Sequence, residues 1–323
     1  MSENNSELIS VIMPFYNAGE FLTSAVDSIL NQSYTNLEFI IINDGSTDGS
    51  DKLIDNFSDN RIRYYSVEHK GRVAQLNFGI NISKGKLIAR MDADDISLPT
   101  RLEEEYNFLK NNPEISAVGT SYYRFDNTGK VLFTKIQQSS YENCKFIAPI
   151  NSPILHPTLL TYREVLMELG GYKVKYEVID DYDLFNRMIR AGYKISNIEK
   201  ILFKYRINSA HSDSDVSRLQ QKSIYEYGKE SRTEEIKLSA LNPIPHFQMA
   251  ILEYYLGKIS ISRKYLFKTL KLKPSLFSRT LRYLPLTLLG NKMVNYLRRK
   301  KILYNISVFI KSKLLIDTNK LGY

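Results

Sequence analysis

Through the first 120 residues, short apolar runs alternate with amphipathic stretches of helical length, the rhythm of a parallel α/β sheet. Strands are predicted near Leu8–Met13, Leu37–Ile42, Ile62–Val67 and Lys86–Met91. Helices are predicted between them near Glu20–Asn31, Asp48–Phe57 and Arg72–Ile82, each short enough for a βαβ crossover. Pro99 opens a further helix over Thr100–Lys110, which Asn112-Pro113 stops. Next, Ile115–Gly119, Ser121–Phe125 and Val131–Thr134, the last two joined by the turn Asp126-Asn127-Thr128-Gly129, predict a sheet extension of antiparallel character. A helix over Asp181–Arg190 carries an apolar stripe of Leu184, Phe185, Met188 and Ile189, and a strand follows over Ile201–Ile207. The polar stretch Asn208–Asp215 marks a boundary, and from about Val216 the pattern is helical, interrupted at Asn242–Pro245, Pro274, Pro285 and Gly290. The expected organisation is therefore an α/β domain over 1–215 and a helical region over 216–323.

Composition sharpens this picture in two ways. The one cysteine, Cys144, excludes an intramolecular disulfide framework and any multi-cysteine zinc or iron–sulfur site, so the chemistry must use oxygen and imidazole. The net charge of +9 hides a split: residues 1–220 hold 24 basic and 29 acidic side chains, whereas residues 221–323 hold 20 basic and 6 acidic ones. From Lys258 onward, 16 basic residues face the single acid Asp317, which points to a polyanion or an anionic membrane surface as a partner for the tail, or to solvated helix faces. The N-terminus lacks a basic region followed by an apolar run, and no apolar stretch approaches about 18 residues. A cytoplasmic location, peripheral on the inner face of the membrane, is the expectation.

Each predicted strand of the first half ends in a polar cluster, and ligands of open α/β sheets bind outside the carboxyl ends of the strands. The clusters are Pro14-Phe15-Tyr16-Asn17, Asn43–Ser50, Glu68-His69-Lys70-Gly71-Arg72 and Asp92-Ala93-Asp94-Asp95. If the backbone is extended at the fourth, Asp92 and Asp94 project to one face and repel unless a cation lies beside them. Mg²⁺ or Mn²⁺, hard ions held by carboxylates and substrate phosphates, suits that pair. Alone, the same acids read rather as caps for the helix at Pro99 or as a solvated loop. In the second cluster Thr47 and Asp48 read as helix caps, whereas Asp44, directly after the strand, is placed to accept from a nucleobase or ribose. Lys70 and Arg72 at a helix start can neutralise a diphosphate, or can be surface charges.

Taken together and in order, ISVIMPFYNAGEFLTSAVDSILNQSYTNLEFIIINDGSTDGS, NFGINISKGKLIARMDADDISLPTRLE, HPTLLTYREVLMELGGY, DDYDLFNRMIRAGYKI and ILFKYRIN strongly resemble family 2 glycosyltransferases of the GT-A fold, over about residues 8–208. The resemblance implies a Rossmann-like, mostly parallel sheet with an antiparallel extension. Its nucleotide-sugar half would cover about 1–98 and its acceptor half about 99–215. It implies that Pro14, Tyr16 and Asn17 cradle the nucleotide and that Asp44 binds the base. Arg72 would lie beside the diphosphate. Asp92 would face the nucleotide sugar, and Asp94 would take the Mg²⁺ or Mn²⁺. Asp181 matches the general base of an inverting transfer, a carboxylate that takes the acceptor hydroxyl's proton. Asp180 stands where the family usually carries Glu and reads as a cap or support, with Asp183 as helix-start electrostatics. His211 lies where some members place a metal-binding histidine, although Asn208 replaces the usual His near the Tyr-Arg pair. His156 reads as an acceptor contact or as a hydrogen-bonded structural histidine.

The implied activity is transfer of a hexose from a nucleotide sugar, UDP-linked by family tendency, to a glycan or lipid-linked glycan in cell-surface polysaccharide synthesis. Basic amphipathic segments such as Arg263–Lys268 and Leu297–Leu303 suit the headgroup region of an anionic inner-membrane leaflet, and also suit packing on the catalytic domain or a second subunit. Nothing in the sequence has a zinc-finger, RRM or KH pattern, so nucleic acid is not an expected partner. Two rival functions remain. A nucleotidyltransferase would release pyrophosphate and have no need of Asp181, and an inactive glycosyltransferase-like module would bind membrane or polyanion only.

Overall fold

The computed structural model describes residues 6–137, 139–149 and 151–207, with isolated positions beyond them. The chain divides into two compact units, Met1–Ser223 and Ile224–Tyr323, and the fold described is that of the first. Its elements run β1 (Ile9–Phe15), α1 (Phe21–Leu30), β2 (Leu37–Asn43), a 3₁₀ turn (Ser50–Asn56), β3 (Ile62–Ser66), α2 (Arg72–Ile82), β4 (Leu87–Arg90), β5 (Ile96–Ser97) and α3 (Arg101–Asn111). They continue as β6 (Ile115–Phe125), β7 (Val131–Lys135), α4 (Tyr141–Ile147), a 3₁₀ turn (His156–Thr158), β8 (Leu160–Tyr162), α5 (Arg163–Glu168), a 3₁₀ segment (Val174–Ile179), α6 (Asp180–Arg190) and β9 (Lys194–Arg206).

One mixed sheet has the order β3-β2-β1-β4-β8-β6-β9-β5, with β7 hung on β6. The pairs β3/β2, β2/β1, β1/β4 and β6/β9 are parallel, while β8 is antiparallel to both β4 and β6. Because strand side chains alternate in direction, β1 and β2 each feed both faces of the sheet. Ile9, Val11, Met13, Leu37, Phe39 and Ile41 pack with α1 and α3, and Ile12, Ile40 and Ile42 pack with α2, α5 and α6. Burial on both sides explains why these strands read as nearly continuous apolar runs, broken by Ser10 and Glu38, whose side chains bond each other. Gly79 on α2 lets that helix lie directly on β1, since a Cβ there would come within 2.5 Å of Ile12 Cγ2.

The first six regular elements lie where the periodicity puts them, but four details differ. Asp48–Phe57 folds as a 3₁₀ turn over Ser50–Asn56 rather than an α-helix, its first amide taken by Asp48 Oδ1 at 3.0 Å. The two short strands expected around Thr120 are one strand, β6, whose pairing with β9 shifts register at Thr120/Ser121. The last strand starts at Lys194, well before Ile201. The Asp92–Asp95 segment is a turn, with the Asp95 amide donating to the Asp92 carbonyl at 3.4 Å, so alternation along a strand is not what gathers its acids. No helix among the described residues is long and apolar enough to cross a membrane. His211 and nearly all of the basic tail lie outside the described residues.

Candidate active site

Two loops leave the carboxyl ends of β1 and β2 and are laced together. Asn17 adopts a left-handed backbone (φ 51°), from which its amide donates to Ser46 Oγ at 3.0 Å and its Oδ1 accepts the Thr47 amide at 2.8 Å. The Asp44 amide donates to the Phe15 carbonyl at 2.8 Å, and Asp48 Oδ2 accepts the Gly19 amide at 3.1 Å. Asp48 therefore joins the loops as well as capping the 3₁₀ turn, while the Thr47 amide goes to Asn17. Pro14 is buried inside β1 opposite Ile42. Tyr16 is half exposed, its ring centroid 4.3 Å from that of His69.

Asp44 is buried beneath that ring pair. Its carboxylate accepts the Lys70 amide at 2.8 Å, the Gly71 amide at 3.0 Å and the Gln75 side-chain amide, and its Oδ2 lies 3.0 Å from His69 Nδ1. The Lys70 and Gly71 amides directly precede α2, so Asp44 fixes the loop that leads into this helix from another strand. Lys70 itself is exposed, 3.8 Å from Glu68. Arg72, the first residue of α2, donates to Asp180 Oδ1 at 2.9 Å and to the Glu177 carbonyl at 3.2 Å.

Asp180 and Asp181 open α6 side by side. Asp180 is buried, and burial pushes its carboxyl up to about 6, with the Arg72 charge opposing and the Asp181 charge adding. Its Oδ2 has no hydrogen-bond partner among the described residues. Asp181 is partly exposed and its Oδ1 accepts the Tyr182 amide at 2.7 Å. Asp183 is buried and paired with Arg187 at 2.8 Å, one turn on along α6. His156 Nε2 and the Tyr172 hydroxyl share a 2.7 Å hydrogen bond. Burial, with the Arg90 and Arg72 charges, holds His156 well below the ordinary imidazole range, so it is neutral at physiological pH.

The turn after β4 gathers Asp92, Asp94 and Asp95, with ligand atoms all within 4.8 Å of one another. Asp92 pairs with buried Arg90. Asp95 is fully buried: its Oδ1 accepts the Arg206 amide at 2.7 Å, and its Oδ2 has no partner among the described residues. Burial, reinforced by Asp92 and Asp94, holds its proton well above the usual carboxylate range. Three crowded carboxylates, one with an unsatisfied buried oxygen, form the oxygen-rich, hard donor set that suits Mg²⁺ or Mn²⁺. Arg206 braces the turn. Its Nε donates to the Asp94 carbonyl at 2.7 Å while its guanidinium lies 4.1 Å from the Phe21 ring centroid and 4.4 Å from that of Phe125.

Beneath the turn, the fully buried Arg101 donates to the Pro157 carbonyl at 2.8 Å and the Arg90 carbonyl at 3.3 and 3.4 Å, and its Nε lies 3.6 Å from Glu105. Sequence reasoning missed Arg90, Arg101 and Gln75, and noted Asp95 only as the end of its cluster and Arg206 only as a flank. The available signals were a charged residue inside the apolar run Leu87–Met91 and a further acid immediately after the paired ones.

A parallel half-sheet joined through β8 to a mixed half, with acidic turns at the strand ends, is the GT-A arrangement. Solved structures share it. A crystal structure of S. aureus TarS 1-349 in complex with UDP-GlcNAc matches with TM-score 0.55 and 16% identity, over 90% of this chain and 91% of that one. The mannosyltransferase PcManGT from Pyrobaculum calidifontis, in complex with GDP-Man and Mn²⁺, matches with TM-score 0.55 and 18% identity, over 84% and 75%. A longer TarS chain is matched over about half its length, 53%. Identities this low show the fold alone. The sequence carries the family. The glycosyl transferase family 2 model matches residues 10–170. An uncharacterized glycosyltransferase of Methanocaldococcus jannaschii is 33% identical over 70% of this chain and 79% of its own. The O-antigen biosynthesis glycosyltransferase WbnJ of Escherichia coli is 32% identical over 65% and 83%. The chain belongs to glycosyl transferase family 2.

Proposed function

We propose that the protein is an inverting, metal-dependent glycosyltransferase that moves a hexose from a UDP-sugar to a glycan or lipid-linked glycan of a cell-surface polysaccharide. The observation that carries this reading is the gathering of Asp92, Asp94 and Asp95 within 4.8 Å in a family 2 chain. The complexes of TarS with UDP-GlcNAc and of PcManGT with GDP-Man support a nucleotide-sugar donor, and the O-antigen role of WbnJ supports the pathway class.

In this reading Tyr16, Asn17 and Asp44 frame the nucleotide, with Asp44 holding the Lys70 and Gly71 amides and the His69 ring just before α2. Arg72, poised on Asp180, lies toward the diphosphate. Asp94, with Asp92 and Asp95, would hold a divalent cation, which when bound supplies positive charge for the departing nucleoside diphosphate. Asp181 takes the acceptor hydroxyl's proton on Oδ2 as the hydroxyl oxygen attacks the anomeric carbon and the bond to the diphosphate oxygen breaks. Asp180, held by Arg72, fixes the start of α6 and so orients Asp181.

The test is nucleotide release from a panel of UDP-, GDP- and dTDP-sugars with Mn²⁺, Mg²⁺ or EDTA, run beside Asp181→Asn. Metal-dependent UDP release from one sugar is expected, with turnover in the variant lower by about a hundredfold or more and nucleotide binding retained. Unchanged turnover in Asp181→Asn removes that residue from the mechanism, and release of pyrophosphate makes the protein a nucleotidyltransferase.

A further inference from the structure

The β6–β7 hairpin carries an apolar surface that the proposed reaction does not use. Every residue from Asn127 to Ile136 is exposed, and Val131 (48% exposed), Leu132 (47%), Phe133 (39%) and Ile136 (49%) are among the largest exposed apolar side chains of the described residues. Among the described residues, β7 pairs only with β6. The register shifts at Arg124/Phe125, setting Val131 opposite Phe125 and Phe133 opposite Arg124. Adjacent strand residues point to opposite faces, so the ribbon is apolar on both. The same stretch carries Lys130 and Lys135 and no acid. The neighbouring Asp126 is folded into the turn, its carboxylate accepting the Thr128 amide and hydroxyl and the Lys130 amide.

These features discriminate among occupants. A flat protein surface covers one face of a ribbon, and edge pairing with a second copy covers its backbone while leaving both sets of side chains in water. A bilayer surrounds the ribbon, taking up both apolar faces while anionic headgroups meet the flanking lysines. We propose that this hairpin dips into the interfacial region of an anionic membrane. Phe125, at its base, lies against the Arg206 that braces Asp94, so the inserted ribbon sets the acidic turn beside the membrane surface.

The chain has no tryptophan, so Phe133→Trp introduces a single fluorescent reporter. With vesicles of equal parts phosphatidylglycerol and phosphatidylcholine, its emission is expected to shift to the blue and to be quenched by lipids brominated on their acyl chains. Affinity for the same vesicles should fall about tenfold or more in Leu132→Ser/Ile136→Ser, at unchanged thermal midpoint, because both side chains are exposed in the protein alone. Sedimentation with vesicles at unchanged emission overturns the proposal by assigning binding to another part of the chain. A blue shift without lipid that grows with protein concentration overturns it in favour of a second copy, and undiminished vesicle affinity in the double variant overturns it outright.

Discussion

Arg206 offers a direct test of how the acidic turn is held. Methionine at this position keeps contact with the Phe21 and Phe125 rings but donates nothing, so Arg206→Met leaves the Asp94 carbonyl without its 2.7 Å partner. Losing a charge-assisted hydrogen bond in a buried setting costs about 1.5–3 kcal/mol. The cation–π contacts add about 1–2 kcal/mol, of which sulfur–aromatic contact recovers about half. A net loss of roughly 2–4 kcal/mol lowers the thermal midpoint by roughly 5–15 °C for a domain of this size. Such a loss is also expected of any well-packed arginine, so the decisive measurement is metal-dependent. Residues that orient metal ligands typically change metal affinity or activity by about 10–100-fold. Activity titrated with Mn²⁺ should therefore show a half-saturating concentration higher by about that factor, with turnover at saturating metal much less affected. Arg206→Lys, which keeps the charge but loses the planar fork, should fall between the two. A metal titration that superimposes on the parent while the midpoint drops would refute the bracing role and leave Arg206 a packing residue.

Three further expectations follow from the same geometry. Asp94→Asn should lower turnover by about a hundredfold or more while leaving the thermal midpoint within a few degrees, and turnover preserved in EDTA would remove the metal from the mechanism. Asp44→Ala strands the Lys70 and Gly71 amides and the Gln75 side chain, costing on the order of 3 kcal/mol, and calorimetry should show this even without nucleotide; a loss of nucleotide binding at unchanged stability would contradict its role in holding the loop before α2. Burial pushes the Glu105 carboxyl from the usual 4.5 up to about 8, against the opposing Arg101 charge. An acid raised on folding holds its proton in the native state while the unfolded chain has lost it, so stability falls as pH rises from about 4.5 through 8. Glu105→Gln should flatten that part of the stability–pH curve, and parallel curves for the two proteins would exclude Glu105 as its source.

The fold of the first half was legible because β1, β2 and β4 are buried on both faces and read as nearly continuous apolar runs, each interrupted by one polar residue (Ser10, Glu38 and Arg90), while α2 spans Arg72–Ile82 just as its periodicity predicts. The second half was less so. β8 has three residues and β5 two, too short for any period, and their places are set by partners far along the chain. The site divides the same way. Asp44, Asp92, Asp94 and Asp181 stand at element ends where position in sequence is informative. Asp95, Arg101 and Arg206 are tied through contacts with residues far away in the chain, such as Asp95 to Arg206 and Arg101 to Pro157, which no local spacing encodes. The backbone at Asp92–Asp95 shows the limit most plainly, since a turn rather than an extended strand brings the carboxylates together.

Arg101 also has a mechanical consequence. From α3 it reaches the carbonyl that ends β4, the carbonyl of Pro157 and, 5.3 Å from its guanidinium, the ring of Phe203 on β9. One buried cation thus rivets the parallel half of the sheet to the mixed half, and swinging them apart would break a buried charged network at a cost of several kcal/mol. The segment Val174–Ile179 lies outside this network, with Val174 67% exposed, and meets the frame where Arg72 donates to the Glu177 carbonyl. Through Arg101 the two halves of the sheet are held as one body, and the acidic turn after β4 is built on that shared support.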